Sequence, residues 1–379
     1  MMLKELPCSI FRGGTSKGVF FMEDVLPKDK DELSKVLLSV MGSPDERQID
    51  GIGGAVSTTS KVAIISKEEK EDWDVNYTFA QVSIDKPVVS YAGNCGNISS
   101  AVGAFAIENA LVEVKSPVTT VRVYNTNTKK LIYEHVPTPN GKITYNGEFS
   151  ISGVPNTASK IELEFMNPAG SFTGKLLPTG NVVDILNVDG VGNIEVSIVD
   201  VANPLVYVDA KSVKLKGTES ANEIDSDKNL LLLLEKIRGE AAVIMGLVEK
   251  WQDGAIISPG VPKLTIVSKP QDYVTNSKTE VKENEYDLSV RMMSMQKAHK
   301  TIALTGALCT AAACVLEGTI PNKIIKAENI KNNFKFGHGD GLIDVSIKYE
   351  KDEKGTIINS VSSHRTARKI MTGTVYYND

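Results

Sequence analysis

No run of apolar residues in this 379-residue chain is long enough to cross a bilayer as a helix. The longest, Ile302 to Leu316, is shorter than the ~20 residues such a helix needs and is diluted by threonines and small residues, so it reads as a core helix. The stretch Met1 to Lys17 lacks the apolar centre of a signal peptide, and charges interrupt it early. The expected location is therefore the cytoplasm, with no membrane partner. Cysteine is scarce: Cys8, Cys95, Cys309 and Cys314 show no paired spacing and no C-x-x-C, which excludes a disulfide framework and a zinc ribbon and leaves reduced thiols. A nucleotide fingerprint is missing too. Arg12 to Gly18 ends in Ser-Lys-Gly before a strand, where a phosphate loop needs Gly-Lys-Ser/Thr before a helix. With no clustered His, Asp and Glu either, neither cofactor nor metal is expected. Positive charge is not in excess: 42 Lys and Arg against 47 Asp and Glu give a net charge of -5. A nucleic-acid partner is thereby disfavoured, and an anionic ligand must be gathered by a local site.

What is present is the composition of a globular protein, 41% hydrophobic and 23% charged, at a length that suggests two domains of roughly 150 to 200 residues. Leu6 to Phe11 and Val19 to Phe21 read as strands around a polar, glycine-rich tip. Asp29 to Val40 reads as a surface helix stopped at Gly42-Ser43-Pro44. Strands are expected over Trp73 to Val89 (two), Pro117 to Asn125, Leu131 to Val136, Lys142 to Phe149 and Ile161 to Phe165. A buried helix is expected from Asn97 to Leu111, since it is apolar on nearly every side. The second half repeats the theme. Strands at Ile194 to Asp200, Asn203 to Ala210, Val261 to Val267 and Tyr286 to Met293 accompany an amphipathic helix over Asp227 to Lys250 and a second small, apolar helix over Lys300 to Leu316. Phe336 to Tyr349 and Val361 to Tyr377 supply the last strands.

Three polar stretches stand out. In Tyr91-Ala92-Gly93-Asn94-Cys95-Gly96-Asn97-Ile98, two glycines allow close backbone approach around one thiol at the mouth of the first apolar helix, where a lowered thiol pKa and held carboxylates are expected. In Arg12 to Gly18, backbone N–H groups, the hydroxyls of Thr15 and Ser16, and a cation from Arg12 or Lys17 form a candidate carboxylate cradle. After Gly51, Gly53 and Gly54, the hydroxyl run Ser57-Thr58-Thr59-Ser60 leads into Lys61, which opens an apolar strand; partial desolvation there would lower its pKa toward that of a useful base. His299, ahead of the second apolar helix, is a candidate carboxylate ligand alongside Lys297. Cys309 and Cys314 lie well inside that helix and read as packing residues. Arg365 and Arg368 read as pins for the C-terminal strand.

Taken together, Phe11 to Gly18, Gln48 to Lys61, Ala92 to Asn97, Leu177 to Gly180, Ser258-Pro259 with Pro262-Lys263, Met295 to His299 and Arg365 to Arg368 resemble the isomerases of 2-methylaconitate and 3-methylitaconate, which share the diaminopimelate-epimerase type of fold. The resemblance implies an α/β chain with mixed sheets (α+β): two similar domains, each a curled, mostly antiparallel sheet around a central buried helix. The expected division is 1–187 plus 358–379, carrying Lys61 and Cys95, and 188–357. The family's acid–base pair matches Lys61 and Cys95. The implied reaction is a cofactor-independent 1,3 proton shift in an unsaturated methyl-substituted di- or tricarboxylate, with Lys61 as base and Cys95 as donor or the reverse. The expected conversion is 3-methylitaconate to 2,3-dimethylmaleate. The alternatives are cis–trans isomerisation of 2-methylaconitate and tautomerisation of 4-oxalomesaconate; amino-acid epimerisation, which would want a second thiol, and non-catalytic dicarboxylate binding stand further off. The expected substrate contacts are Thr15, Ser16, Lys17, Ser57, Ser60, Asn94, Gly96, Asn97, Lys297 and His299. A homo-oligomer is compatible with all of this.

Overall fold

The computed structural model describes residues 3–378 except Ala92 and Lys354; Ala92, within the predicted cysteine turn, lies outside the described residues. The chain forms two compact units, Met1–Phe165 with His364–Asp379, and Met166–Ser363.

In the first unit, strands β1 (Leu3–Gly13) and β2 (Ser16–Met22) form the predicted hairpin. Helix α1 (Lys30–Met41) follows; the Asp29 carboxylate caps it by accepting from the Asp31 and Glu32 N–H groups, and Gly42 ends it in a left-handed conformation (φ 76°). Strand β3 (Lys61–Lys67) runs parallel to β2, and β4 (Val75–Val82) returns antiparallel with the short β5 (Val89–Ser90) beside it. After helices α2 (Gly96–Ser99) and α3 (Val102–Glu108), β6 (Val118–Asn125) runs parallel to β4, and β7 (Lys130–Pro137) and β8 (Ile161–Met166) complete the sheet antiparallel. The C-terminal strand, Ala367–Asn378, pairs antiparallel with β1 from Leu3↔Asn378 to Gly13↔Ala367.

Strand periodicity of two divides the side chains between two cores. Val19 and Phe21 join Leu37, Val40 and Met41 of α1 on one face. Phe20 turns to the other, where Phe11 (5.0 Å between ring centroids) and Phe105 of α3 (5.7 Å) pack on it.

Two expectations are corrected. The helix over 97–111 is broken: the buried Ser100 hydroxyl donates to the Asn97 carbonyl at 2.6 Å, a local bond that competes with helical continuation, and α3 ends before Ala110, which is left-handed (φ 55°). Lys142 to Phe149 is not a strand; its β pairing is one isolated bridge, Phe149↔Ala158.

The second unit begins with β9 (Asp184–Val188), β10 (Gly192–Val201) and β11 (Asn203–Asp209), antiparallel in turn. Helices α4 (Ala221–Ser226), α5 (Lys228–Ile244) and α6 (Gly254–Ile257) lead to β12 (Lys263–Ser268), parallel to β11. A ribbon of β13 (Tyr273–Val274) and β14 (Glu280–Val281) precedes β15 (Leu288–Ser294), antiparallel to β12, and β16 (Lys297–Ala298). Then α7 (Leu304–Val315) and α8 (Ile320–Ile324) lead to β17 (Asn333–His338), parallel to β15, followed by antiparallel β18 (Gly341–Asp352) and β19 (Gly355–Arg365). The last two residues of β19 belong to the first unit. Every residue of α7 is buried. On the other sheet face, Leu234, Ile237 and Ala241 of α5 pack on Val206, Val208 and Ile266.

Strand for strand the two units share one course: a hairpin, a parallel neighbour, an antiparallel one, a second parallel one, then two antiparallel. In each, a surface helix precedes the first parallel strand and an apolar helix precedes the second. The predicted pair of similar mixed-sheet domains, each around an enclosed helix, is what the chain forms. No helix among the described residues is long and apolar enough to cross a membrane.

Candidate active site

The hairpin tip is where the sequence's glycines find their reason. In β1 and β2, Gly13 faces Ser16, and Gly14-Thr15 makes a two-residue turn with Gly14 left-handed (φ 51°). A methyl group on Gly13 would collide with the Asn97 carbonyl, and one on Gly14 with the Asn97 side-chain amide, so the tip lies flush on the first turn of α2. Asn97 holds it there: its Nδ2 donates to Thr15 Oγ1 at 3.0 Å, while its Oδ1 accepts from Arg365 Nε at 3.1 Å. The Arg12 Nη1 donates to the carbonyls of Gly14 (2.9 Å) and Thr366 (2.8 Å) and to Thr366 Oγ1 (2.9 Å). Ser16 is buried, and the Lys17 N–H donates to the Thr58 carbonyl at 2.9 Å.

Lys61 opens β3, parallel to Gly18 and opposite Gln81 of β4. It is buried, at 8% exposure. Its Nζ donates to Gln81 Oε1 at 2.6 Å and sits 5.1 Å from the Phe79 ring centroid. Gln81 is itself oriented, because its Nε2 donates to the carbonyls of Ser60 (2.8 Å) and Ser57 (3.2 Å) and so turns Oε1 toward the lysine. Ser57 is exposed. Ser60 is fully buried; its hydroxyl donates to the Val82 carbonyl at 2.9 Å and accepts from Gln48 Nε2 at 2.7 Å, which engages it within the fold.

Cys95 sits immediately ahead of α2, partly exposed, whereas Cys8, Cys309 and Cys314 are buried. Burial pushes the Cys309 thiol up to about 12 and holds Cys314 well above its usual range, so both are inert packing groups. The cysteine turn is fastened on both sides. Ser99 Oγ donates to Asn94 Oδ1 and to the Cys95 carbonyl, each at 3.2 Å, and the Gly96 backbone is buried as α2 begins. Upstream, Asn127 Nδ2 donates to the carbonyls of Tyr91 (2.8 Å) and Phe79 (2.9 Å). Below lies Tyr77, wholly buried; desolvation, with Cys95 the next largest influence, holds its phenol well above its usual range and therefore protonated.

Gly18 joins the segments that carry Lys61 and Cys95. A methyl there would stand 2.9 Å from the Lys61 carbonyl oxygen and 3.1 Å from Ile98 Cδ1, so the start of β3 and helix α2 meet the same backbone point. Thr15, Lys61, Cys95 and Asn97 thus belong to one local assembly in the first unit. Lys297 and His299 belong to the second unit; Lys297 is exposed, and His299 Nδ1 accepts from the Thr301 N–H at 3.1 Å. Lys263, which opens β12 as Lys61 opens β3, donates to the Gly260 carbonyl at 2.8 Å. Among the described residues no group of three or more His, Cys, Asp or Glu could hold a metal ion.

Gln81 and Asn127 were missed from sequence. A signal existed for the first: the alternation of β4 puts Tyr77, Phe79 and Gln81 on one face, and Gln81 is the amide in that row.

The sequence pattern of the PrpF protein family matches residues 3–378. Over 374 residues, the chain is 45% identical to the 3-methylitaconate isomerase of Eubacterium barkeri, covering 98% of this chain and 97% of that protein. It is also similar to a crystal structure of methylitaconate-delta-isomerase, with a TM-score of 0.84 and 43% identity over 99% of this chain and 96% of that one. A hydroxyproline epimerase from Agrobacterium vitis shares the fold at a TM-score of 0.56 and 10% identity, over 99% of this chain and 93% of that one.

Proposed function

Since this chain belongs to the PrpF family and is an isomerase, we propose that it moves an allylic double bond in an unsaturated, methyl-substituted dicarboxylate, converting 3-methylitaconate to 2,3-dimethylmaleate. Lys61 acts as the base that removes the proton from the methine carbon beside one carboxylate. The electron pair delocalises through the adjoining alkene, and the Cys95 thiol returns a proton to the terminal methylene carbon, making it a methyl group. The ammonium and thiolate left behind reset by proton transfer through solvent. A proton so weakly acidic needs its dienolate stabilised. Hydrogen-bond donors and cations around the Thr15–Asn97 contact are suited to that. The observation carrying this reading is Gly18, whose α-carbon fits against both the Lys61 carbonyl and Ile98, three residues beyond Cys95. We place the reaction in the cytoplasm, on a small acid rather than a nucleic acid.

The test is turnover in deuterated water on a panel of 3-methylitaconate, 2-methylaconitate and 4-oxalomesaconate, followed by NMR. Deuterium is expected in the new methyl group of the first. Lys61→Ala and Cys95→Ser are each expected to lose ~10²–10⁴-fold in rate, as positioned acid–base groups do; retention of more than about a tenth by either removes that residue from the mechanism.

A further inference from the structure

We propose that Arg365 is the cation that receives a substrate carboxylate at the Cys95 site, with Asn97 as the neutral spacer that keeps its charge available. This rests on the dicarboxylate reading above and goes beyond it, because Arg365 was assigned from sequence only as a pin for the last strand.

Arg365 is buried, at 6% exposure. Among the described residues its bonds are few for a guanidinium with five N–H donors: Nε to Asn97 Oδ1 at 3.1 Å and Nη1 to the His364 carbonyl at 2.8 Å. Neither acceptor carries charge. A buried cation normally acquires a carboxylate, because burying an unpaired charge is strongly unfavourable. Arg238, in the second unit, shows the usual solution: at 3% exposure it forks onto both oxygens of Glu235 at 2.7 and 2.5 Å. Arg291, equally buried, lies 4.9 Å from the Tyr273 ring centroid and caps three backbone carbonyls. Arg365 has neither device among the described residues.

The surroundings strengthen the case. Arg12 and Arg368 face each other across β1 and the C-terminal strand, an unfavourable like-charge pairing, and Arg12 bonds Thr366, the residue after Arg365. Among the described residues none of the three arginines forms an ion pair. A buried guanidinium held by neutral acceptors alone among the described residues marks a place prepared for an anion. Burial lowers Arg365 to about 10, which leaves it cationic at neutral pH.

Asn97 supplies the decisive substitution. Its Oδ1 stands where an aspartate oxygen would complete an ion pair with Arg365, so Asn97→Asp fills the position with almost no change of shape. A merely structural arginine would gain from that change. An arginine that holds substrate would be neutralised by it.

The experiment measures binding of 2,3-dimethylmaleate by calorimetry on a Cys95→Ser background, which separates binding from chemistry, together with thermal midpoints. Asn97→Asp is expected to keep or raise the midpoint and to weaken binding at least tenfold. Arg365→Met is expected to weaken binding at least tenfold, and Arg365→Lys, which restores the charge, to recover binding to within about threefold of the parent. Binding by Arg365→Met within twofold of the parent overturns the proposal; should that variant not fold, binding by Asn97→Asp within twofold overturns it equally. Failure of the proton-shift mechanism would appear elsewhere, as retained turnover in Lys61→Ala or in Cys95→Ser itself.

Discussion

The Nζ of Lys61 and the Oε1 of Gln81 lie 2.6 Å apart on facing strands, and the glutamine is held in that orientation by two backbone carbonyls. The lysine is thus aimed by a neutral acceptor, which orients the amine without fixing a proton on it. Gln81→Met, similar in size, is expected to lower kcat at least tenfold with little change in thermal midpoint. Gln81→Glu is expected to be at least as damaging, since a carboxylate at that distance favours the ammonium. Steady-state kinetics on 3-methylitaconate decide the matter; normal kcat in both variants would remove Gln81 from the site.

Asn127 links β4 to the cysteine turn through bonds to both Phe79 backbone groups and to the Tyr91 carbonyl. At roughly 0.5–1.5 kcal/mol each, the loss of these bonds in Asn127→Leu should cost about 2–4 kcal/mol in urea unfolding. Released from its clamp, the turn should also expose its thiol. Iodoacetamide should therefore label Cys95 faster in the folded variant than in wild type, and an unchanged labelling rate would show that the clamp does not govern the turn.

Gly18→Ala introduces a methyl group between the Lys61 carbonyl and Ile98. Overpacking of this kind costs about 1–3 kcal/mol. Relief requires either the lysine or α2 to move, so kcat should fall at least tenfold. The control is Gly373→Ala, whose methyl meets only the flexible end of Met371 at 3.0 Å and which should leave kcat unchanged.

Glu134 offers a pH test of the core. Its carboxyl is fully buried beside α3 and accepts from the Gly103 N–H at 2.7 Å, yet burial outweighs that bond and pushes it well above the usual carboxylate range. Below the unfolded value of about 4.3 both states hold the proton, and stability is at its fullest. As pH rises, the unfolded chain releases the proton before the folded one does, so stability declines until the folded value is reached. Glu134→Gln abolishes this term. Its urea midpoint, relative to wild type, should therefore climb between pH 4 and pH 8; parallel curves would contradict the burial argument.

Much of this was legible in the sequence because it depends on local pattern. The hairpin glycines, the capped helix over Lys30–Met41 and the enclosed apolar helix over Leu304–Val315 follow from turn chemistry and periodicity, whereas the break at Ser100 in the first apolar helix does not. The purpose of the glycines was not legible. Gly13 and Gly14 are explained by Asn97, more than eighty positions away, and no local rule predicts which backbone a bare α-carbon will touch. The same holds for the parallel pairings of β2 with β3 and β4 with β6, which depend on crossovers. The hydroxyl run before Lys61 shows the complementary limit: composition suggested ligands, while Ser60 is turned inward to Gln48 and Val82 and Ser57 offers its carbonyl to Gln81. Arg365 was visible as a charge, but that no acid among the described residues pairs with it could be seen only in three dimensions.

The pairing of β1 with the C-terminal strand also sets the order of events in synthesis. A growing chain that has not yet produced residues 364–378 leaves β1 paired with β2 on one side only, and lacks both Thr366, which holds Arg12, and Arg365, which holds Asn97. The second unit is one continuous segment, whose own strands can pair while this edge stays open. Incomplete chains would therefore carry an open strand edge prone to clump, and the proposed pair, Lys61 and Cys95, would gain its full surroundings only when translation of the C-terminal strand is done.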